Sequence, residues 1–385
     1  MASEYFPETL FGISRGEGAV TFTIYVLSML FVSVYGKADK KLLLIAGVST
    51  LLFCFIVILQ LLGHNPLNLY PVGYNYYDAN KQYFGQFVGT IGNVDLVSAY
   101  LCPMTAAMIT AFYKCRGKLK IFCIVTALVC LFIMFKINVK SGYVGLGAGL
   151  LFSLPMQLNI RNADRKKLAG SIFGAIVLGV VFVFAVDVGS GMFHEVHQLM
   201  HGNINPNFGT GRIKIWTALL KLIPSKIFLG YGPDTMLMAN IEPWVNYLAQ
   251  YDAYVKAYID TAHNEYLNIL YHQGIFALLT FIGTILSVLI STIKQDDFSV
   301  KKIILWVFVL TFGIQAFFNV NSCMSSIYFY IVLGLLCKET LMKQNIKETQ
   351  KTVLLSINKS CHQQRNCKVH KSSISTSQPI IPSKY

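Results

Sequence analysis

One histidine offers the clearest chemistry in this chain. His263 lies in the run Thr261-Ala262-His263-Asn264-Glu265-Tyr266-Leu267, with Gly274 eleven residues further on. Imidazole is the one ordinary side chain that both takes and gives a proton near neutral pH, so His263 is a candidate general base. The 28 residues from Tyr266 to Ile293 contain no Lys, Arg, Asp or Glu. That is enough to cross a bilayer, which takes about 20 residues, and it puts His263 at the mouth of a membrane helix. Asp260 or Thr261 reads as the N-cap, which places His263 in the first helical turn, where the positive end of the helix dipole disfavours imidazolium. Glu265 is two residues on and does not share its face, so a carboxylate partner has to come from elsewhere, with Asp234 and Asp260 as candidates. The plainer alternative is a histidine that only hydrogen-bonds at a helix end.

The residues that could work with His263 collect in the polar stretch before it, Asp187 to Ala262. Gly209-Thr210-Gly211-Arg212-Ile213-Lys214-Ile215-Trp216 predicts a helix running to Pro224, with Thr210 as N-cap and Arg212 and Trp216 as i, i+4 neighbours. Arg212 and Lys214 form a basic cluster suited to a phosphate or pyrophosphate; an anchor for lipid headgroups is the rival reading. Gly230-Tyr231-Gly232-Pro233-Asp234 predicts a tight bend and, with no Gly-Lys-Ser/Thr following, is not a Walker loop. Trp244, Tyr247, Tyr251, Tyr254 and Tyr258 are spaced 3, 4, 3, 4, which predicts one stripe of a helix, lying in the membrane interface or stacking on sugar rings. His194, His197 and His201 share a helical face, but His194-Glu195-x-x lacks the second histidine of a zincin, since position 198 is Gln. A polar helix lying over the membrane is the better reading there.

Composition fixes the setting. Hydrophobic residues make up 54% of the chain and charged residues 13%, with a mean hydropathy of +0.53; soluble domains carry about 25% charged residues. The fold class expected is all-α: a polytopic integral membrane protein of about nine spans, at 18–35, 42–62, 96–113, 119–139, 141–160, 168–186, 265–293, 303–319 and 322–337. The last two divide a long uncharged run at Asn319-Val320-Asn321-Ser322. The membrane domain is then 1–337, with one large extracytoplasmic loop at 188–262, and 338–385 is a basic tail expected to be disordered. Met1-Ala2-Ser3-Glu4-Tyr5 lacks a basic n-region, so no cleavable signal peptide is expected.

Basic residues orient the spans. Lys37, Lys40 and Lys41, then Lys114, Arg116, Lys118 and Lys120, then Arg161, Arg165, Lys166 and Lys167, then Lys294, Lys301 and Lys302 fall in alternate loops. The positive-inside rule makes these cytoplasmic, with the N-terminus outside and the tail inside. The net charge of +14 thus needs no nucleic-acid partner; membrane lipids suffice. Four of the nine cysteines, Cys54, Cys102, Cys123 and Cys130, lie inside spans as small hydrophobes. The tail cluster Cys361, His362, Cys367 and His370 fits no zinc spacing. The first outer loop, Gly63 to Asp95, is rich in aromatics (Tyr70, Tyr74, Tyr76, Tyr77, Tyr83, Phe84 and Phe87) and closes on Gly89-Thr90-Ile91-Gly92-Asn93-Val94-Asp95.

These pieces, in this order, resemble the O-antigen ligase/polymerase superfamily of bacterial envelope proteins. The resemblance rests on Gly211-Arg212 with Trp216, Gly230-Tyr231-Gly232-Pro233, and His263-Asn264-Glu265-Tyr266-Leu267 with Gly274. Gly92-Asn93 and Gln315 also fit, and the likeness runs roughly from Ser14 to Leu336. It implies a membrane glycosyltransferase of the bacterial cytoplasmic membrane. Such an enzyme moves a glycan from a polyprenyl-diphosphate carrier, such as undecaprenyl diphosphate, to an acceptor hydroxyl on a glycan or glycolipid, with no metal and no cofactor. His263 is then the catalytic base and Arg212 meets the charge of the leaving diphosphate. Arg15, Lys214, Lys140, Asn93, Tyr231, Gly232, Asn264 and Glu265 are the expected diphosphate- or sugar-binding residues. Many relatives carry Ser-Arg near the start of the helix at 141; here the run is Lys140-Ser141-Gly142, and Lys140 is expected to substitute as a point charge without the bidentate fork. Two rivals remain: a lipid-linked glycan transporter, which should carry ionisable residues near the midplane, and a metal-dependent membrane hydrolase built on His194, His197 and His201.

Overall fold

The computed structural model describes residues 3–6, 8–69, 76–78, 81–83, 88–158, 160–239, 241–248, 253–295, 298–319 and 322–340. Tyr70, Tyr74, Phe84, Phe87, Tyr251 and the tail cluster at 361–370 lie outside these residues. Among the described residues the regular structure is helical apart from two short antiparallel hairpins. After a single turn, α1 (Glu8–Phe11), come α2 (Ala19–Tyr35), α3 (Lys40–Leu61), α4 (Val94–Lys114), α5 (Lys118–Ile137), α6 (Lys140–Gln157) and α7 (Asn162–Ala185). Two shorter helices, α8 (Gly191–Met200) and α9 (Arg212–Leu222), lead to α10 (Glu265–Lys294), α11 (Val300–Ala316) and α12 (Cys323–Thr340). Six of these (α3, α4, α5, α7, α10 and α12) are long and apolar enough to cross a membrane. Helices also form at the three other expected stretches: α2 and α11 have 17 residues each, and α6 has 18. The uncharged run near the C-terminus does break between Ala316 and Cys323.

Helix starts follow local chemistry. Asp39 caps α3 by accepting from the Leu42 amide at 3.0 Å, and Asn93 caps α4 by accepting from Asp95 and Leu96. α4 is the axis of the bundle, with α5, α6 and α11 packed around it. On α6, Gly142, Gly145 and Gly149 line one face. A Cβ on Gly145 would fall 2.4 Å from Gln315 Cβ of α11, and one on Gly149 would fall 2.0 Å from Thr311 Oγ1. With no hydrophobic gain on offer between helices in lipid, such close backbone approach supplies the packing.

Two expectations need correcting. The aromatic stripe is not a helix: Trp244–Leu248 (β3) pairs antiparallel with Ala253–Ala257 (β4), with Trp244 opposite Ala257 and Tyr247 opposite Tyr254. Val, Tyr and Trp are strand formers, and the 3, 4, 3, 4 spacing was counted across the reversal between two strands. A smaller hairpin, Tyr76–Asp78 (β1) with Lys81–Tyr83 (β2), sits in the aromatic loop. Secondly, Thr210 does not cap α9. Gly209, Thr210 and Gly211 all have positive φ, Gly211 holds the cap position, and the Thr210 hydroxyl donates to the Gly209 carbonyl.

Candidate active site

The N-cap of the helix that follows His263 lies three or four residues later than the sequence suggests. Asn264 is the N-cap of α10, accepting from the Leu267 amide at 3.1 Å. His263 precedes it with φ +49°, in the left-handed region. It is therefore outside the first turn, and the dipole argument gives way to a geometric one. Both flanks are tied down. The indole of Trp216 donates to the Ala262 carbonyl at 2.8 Å, and Asn268 accepts from the Ala262 amide at 2.8 Å while bonding Thr261 Oγ1. A non-glycine residue held left-handed costs of order 1–3 kcal/mol. Here α9 and the first turn of α10 jointly hold it.

The side chain of His263 is 28% exposed, so one edge stays open. Burial of the rest, then the charges of Arg212 and Arg15, push its pKa down to about 3. The ring is a neutral base at neutral pH. Its Nδ1 has no hydrogen-bond partner and lies 3.7 Å from Asp95 Oδ2. Arg212 begins α9, one turn before Trp216, and its Nε is buried without a hydrogen-bond partner. Asp95 was not singled out from the sequence. The available signal was a lone carboxylate opening an otherwise uncharged span. The carboxylates put forward instead are committed elsewhere. Asp260 receives a bidentate pair from Arg15 at 2.9 and 3.0 Å, and Asp234 accepts from the Ser14 and Arg15 amides and the Ser14 hydroxyl.

The glycine-rich bend has a structural partner in α10. Gly274 breaks that helix with φ +81° and ψ −178°, which frees backbone groups that apolar surroundings would leave unpaired. Tyr231 N donates to the Tyr271 carbonyl at 2.9 Å, Gly232 N donates to that of His272 at 2.8 Å, and Ile275 N donates to that of Ile227 at 2.8 Å. The approach excludes side chains: a Cβ on Gly230 would lie 2.4 Å from the His272 carbonyl carbon, and one on Gly274 would lie 2.2 Å from Phe228 O. Tyr231 stacks on Tyr271 at 4.7 Å. Tyr231 and Gly232 thus hold the loop against the broken helix.

The remaining expected residues divide. Arg15, Arg212, Asn264 and Glu265 gather around His263, Glu265 being buried. Asn93 sits beside Asp95 as the cap of α4. Lys214 pairs with Glu242 at 3.0 Å, and Lys140 is exposed at the start of α6. Beside the start of α10 a small cavity is lined by Arg15, Glu17, Asp234, Asp260, Glu265 and His272, with Phe22 and Ile269. Glu17 bonds the Tyr25 hydroxyl at 2.7 Å, and burial followed by the nearby Glu265 pushes its pKa up to about 8. His194, His197 and His201 turn their Nδ1 atoms to Asp187, the Val183 carbonyl and the His197 carbonyl. Among the described residues no three ligand-type side chains converge on a metal position.

A helical membrane protein with a neutral histidine and two arginines at one end of its bundle defines the class. Within it, a family model described as O-antigen ligase matches residues 124–282, so this stretch of the chain is similar to that family. The match takes in Arg212, the glycine-rich bend, His263 and Gly274, while Arg15 and Asp95 fall before it. No curated protein matches the chain.

Proposed function

We propose that this protein is a membrane glycosyltransferase that moves a glycan from a polyprenyl-diphosphate carrier to an acceptor hydroxyl, at the extracytoplasmic face of the bacterial cytoplasmic membrane. The observation that carries the reading is the neutral imidazole of His263, open on one edge and flanked by Arg212 and Arg15. His263 accepts the proton of the acceptor hydroxyl as its oxygen attacks the anomeric carbon. The bond to the diphosphate breaks with its electron pair, and Arg212 meets the charge that develops. Arg15 adds charge from its Asp260-bound position. Because guanidinium groups supply this neutralisation, the reaction needs no metal, and chelators should leave it intact. The topology proposed is nine spans with the N-terminus outside; cysteine labelling from either side of the membrane tests it.

The decisive experiment is complementation of a deletion strain. His263→Ala should abolish glycan transfer while the protein still inserts and binds the lipid-linked donor; wild-type transfer by that variant would refute the base assignment. Sizing the surface glycans of the deletion strain separates two forms of the reaction. Single-repeat products mean a polymerase, and long chains left on the carrier lipid mean a ligase.

A further inference from the structure

Resting on the reading of His263 as the base, we infer that Asp95 is its positioning residue: its carboxylate holds the imidazole as the Nδ1–H tautomer, so that Nε2 faces the acceptor hydroxyl. Three observations meet here. Among the described residues the Asp95 carboxylate is the acid nearest His263 Nδ1, at 3.7 Å, and Nδ1 is buried with no hydrogen bond. Asp95 is itself buried, 6% exposed, so water competes little for it. Its backbone is fixed on both sides, since Asn93 accepts from its amide at 2.7 Å and Asn319 donates to its carbonyl at 3.0 Å. The two groups are far apart in the sequence, on α4 and just before α10, and His263 holds a left-handed φ where the two approach.

The remaining gap is roughly 0.8 Å beyond a charge-assisted hydrogen bond, and catalytic bonds that are long in an empty site tighten when substrates bind. In the transfer step the acceptor O–H bond breaks, its proton passes to Nε2 and its oxygen bonds the anomeric carbon. The anomeric carbon–oxygen bond breaks, and its electron pair leaves with the diphosphate. The imidazolium so formed donates Nδ1–H to Asp95, which stays ionised. The carboxylate thereby offsets the two arginines, which otherwise oppose a positive ring. Asp95 lies outside the stretch matched by the family model, so nothing in that match bears on it.

The test uses the full chain reconstituted into membranes of a deletion strain, which hold both the accumulated lipid-linked glycan and the acceptor. Asp95→Asn should lower turnover about 100-fold, the scale of a lost acid–base partner, with the half-saturating donor concentration unchanged. Solid-state 15N spectra of histidine-labelled protein, with the His263 signal assigned by its loss in His263→Gln, should move from the Nδ1–H to the Nε2–H pattern in the same variant. If Asp95→Asn fails to fold, Asp95→Glu decides: it should keep the Nδ1–H pattern and at least a tenth of the turnover. Turnover within twofold of wild type, or an unchanged tautomer, in folded Asp95→Asn overturns the pairing while an inactive His263→Ala leaves the base standing. An active His263→Ala instead removes the base reading itself.

Discussion

Helices α4 and α7 are both apolar enough to span a membrane, and they are used in opposite ways. The α7 window is the more hydrophobic of the two, with a mean hydropathy of 2.5 against 1.5, yet 6% of it is buried against 83% for α4. In water the order would be reversed. In lipid, hydropathy measures contact with the solvent, and the interior is where a helix can carry Ser98, Thr105, Thr110 and Asp95. The charged and hydrogen-bonding groups of the candidate site therefore lie at one end of α4, a buried helix of low hydropathy. The more hydrophobic α7 serves as a flank.

That contrast can be broken most severely through glycine. Gly149→Leu forces a side chain into Thr311 of α11 and should destabilise the protein by about 3 kcal/mol. Gly174→Leu on α7, where a Cβ meets nothing within 4 Å, should stay within about 0.5 kcal/mol. Thermal unfolding in detergent reads both, and equal effects would mean that α7 is packed after all. Next in size are the caps at the site end. Asn264→Ala should cost about 1 kcal/mol and, by loosening His263, lower transfer more than it lowers stability. Activity falling only in step with the melting temperature would make Asn264 purely a cap.

The acids at the two places give a smaller, pH-dependent contrast. Glu17, at the site end, has its pKa raised from the usual 4.5 to about 8 by burial and then by Glu265. The folded state thus holds a proton that the unfolded chain has released, and stability falls as pH rises from 4.5 to 8. Glu17→Gln should raise the melting temperature at pH 8–9 and leave it unchanged at pH 4; the opposite pattern would place Glu17 in contact with water. Asp187, just past α7, is exposed and held down to about 2 by the His194 side chain and the Gly189 amide. Asp187→Asn should lower the melting temperature only slightly above pH 4, because solvent screens this exposed contact, the smallest effect of the set.

Much of this was legible in the sequence because membranes impose simple rules. Charge-free runs of known length marked α3, α5, α7 and α10 to within a few residues. Arg212, the glycine bend, His263 and Gly274 could be read as one constellation because they crowd into 63 consecutive residues. What escaped depends on the third dimension. The Asp95–His263 approach joins residues 168 positions apart, and no local pattern encodes it. The register of β3 on β4 was hidden because helical and two-strand spacings coincide for aromatics counted across a turn. The shift of the α10 cap by three or four residues was decided by which of several polar side chains, Asp260, Thr261 or Asn264, found the free amide.

The ties between the first residues and the loop before α10 set a clock on assembly. Ser3 bonds the Tyr231 carbonyl, Glu4 pairs with Lys226, Ser14 and Arg15 take Asp234, and Arg15 grips Asp260. Arg15 is synthesised 245 residues before Asp260. At about 5–20 residues per second, it waits roughly 10–50 seconds for its partner. During that interval the early helices are in the membrane while the arginine has no carboxylate and the histidine does not yet exist. The candidate site is thus completed only after α10 begins to emerge, and a chain stalled before that point carries its cations with no base beside them.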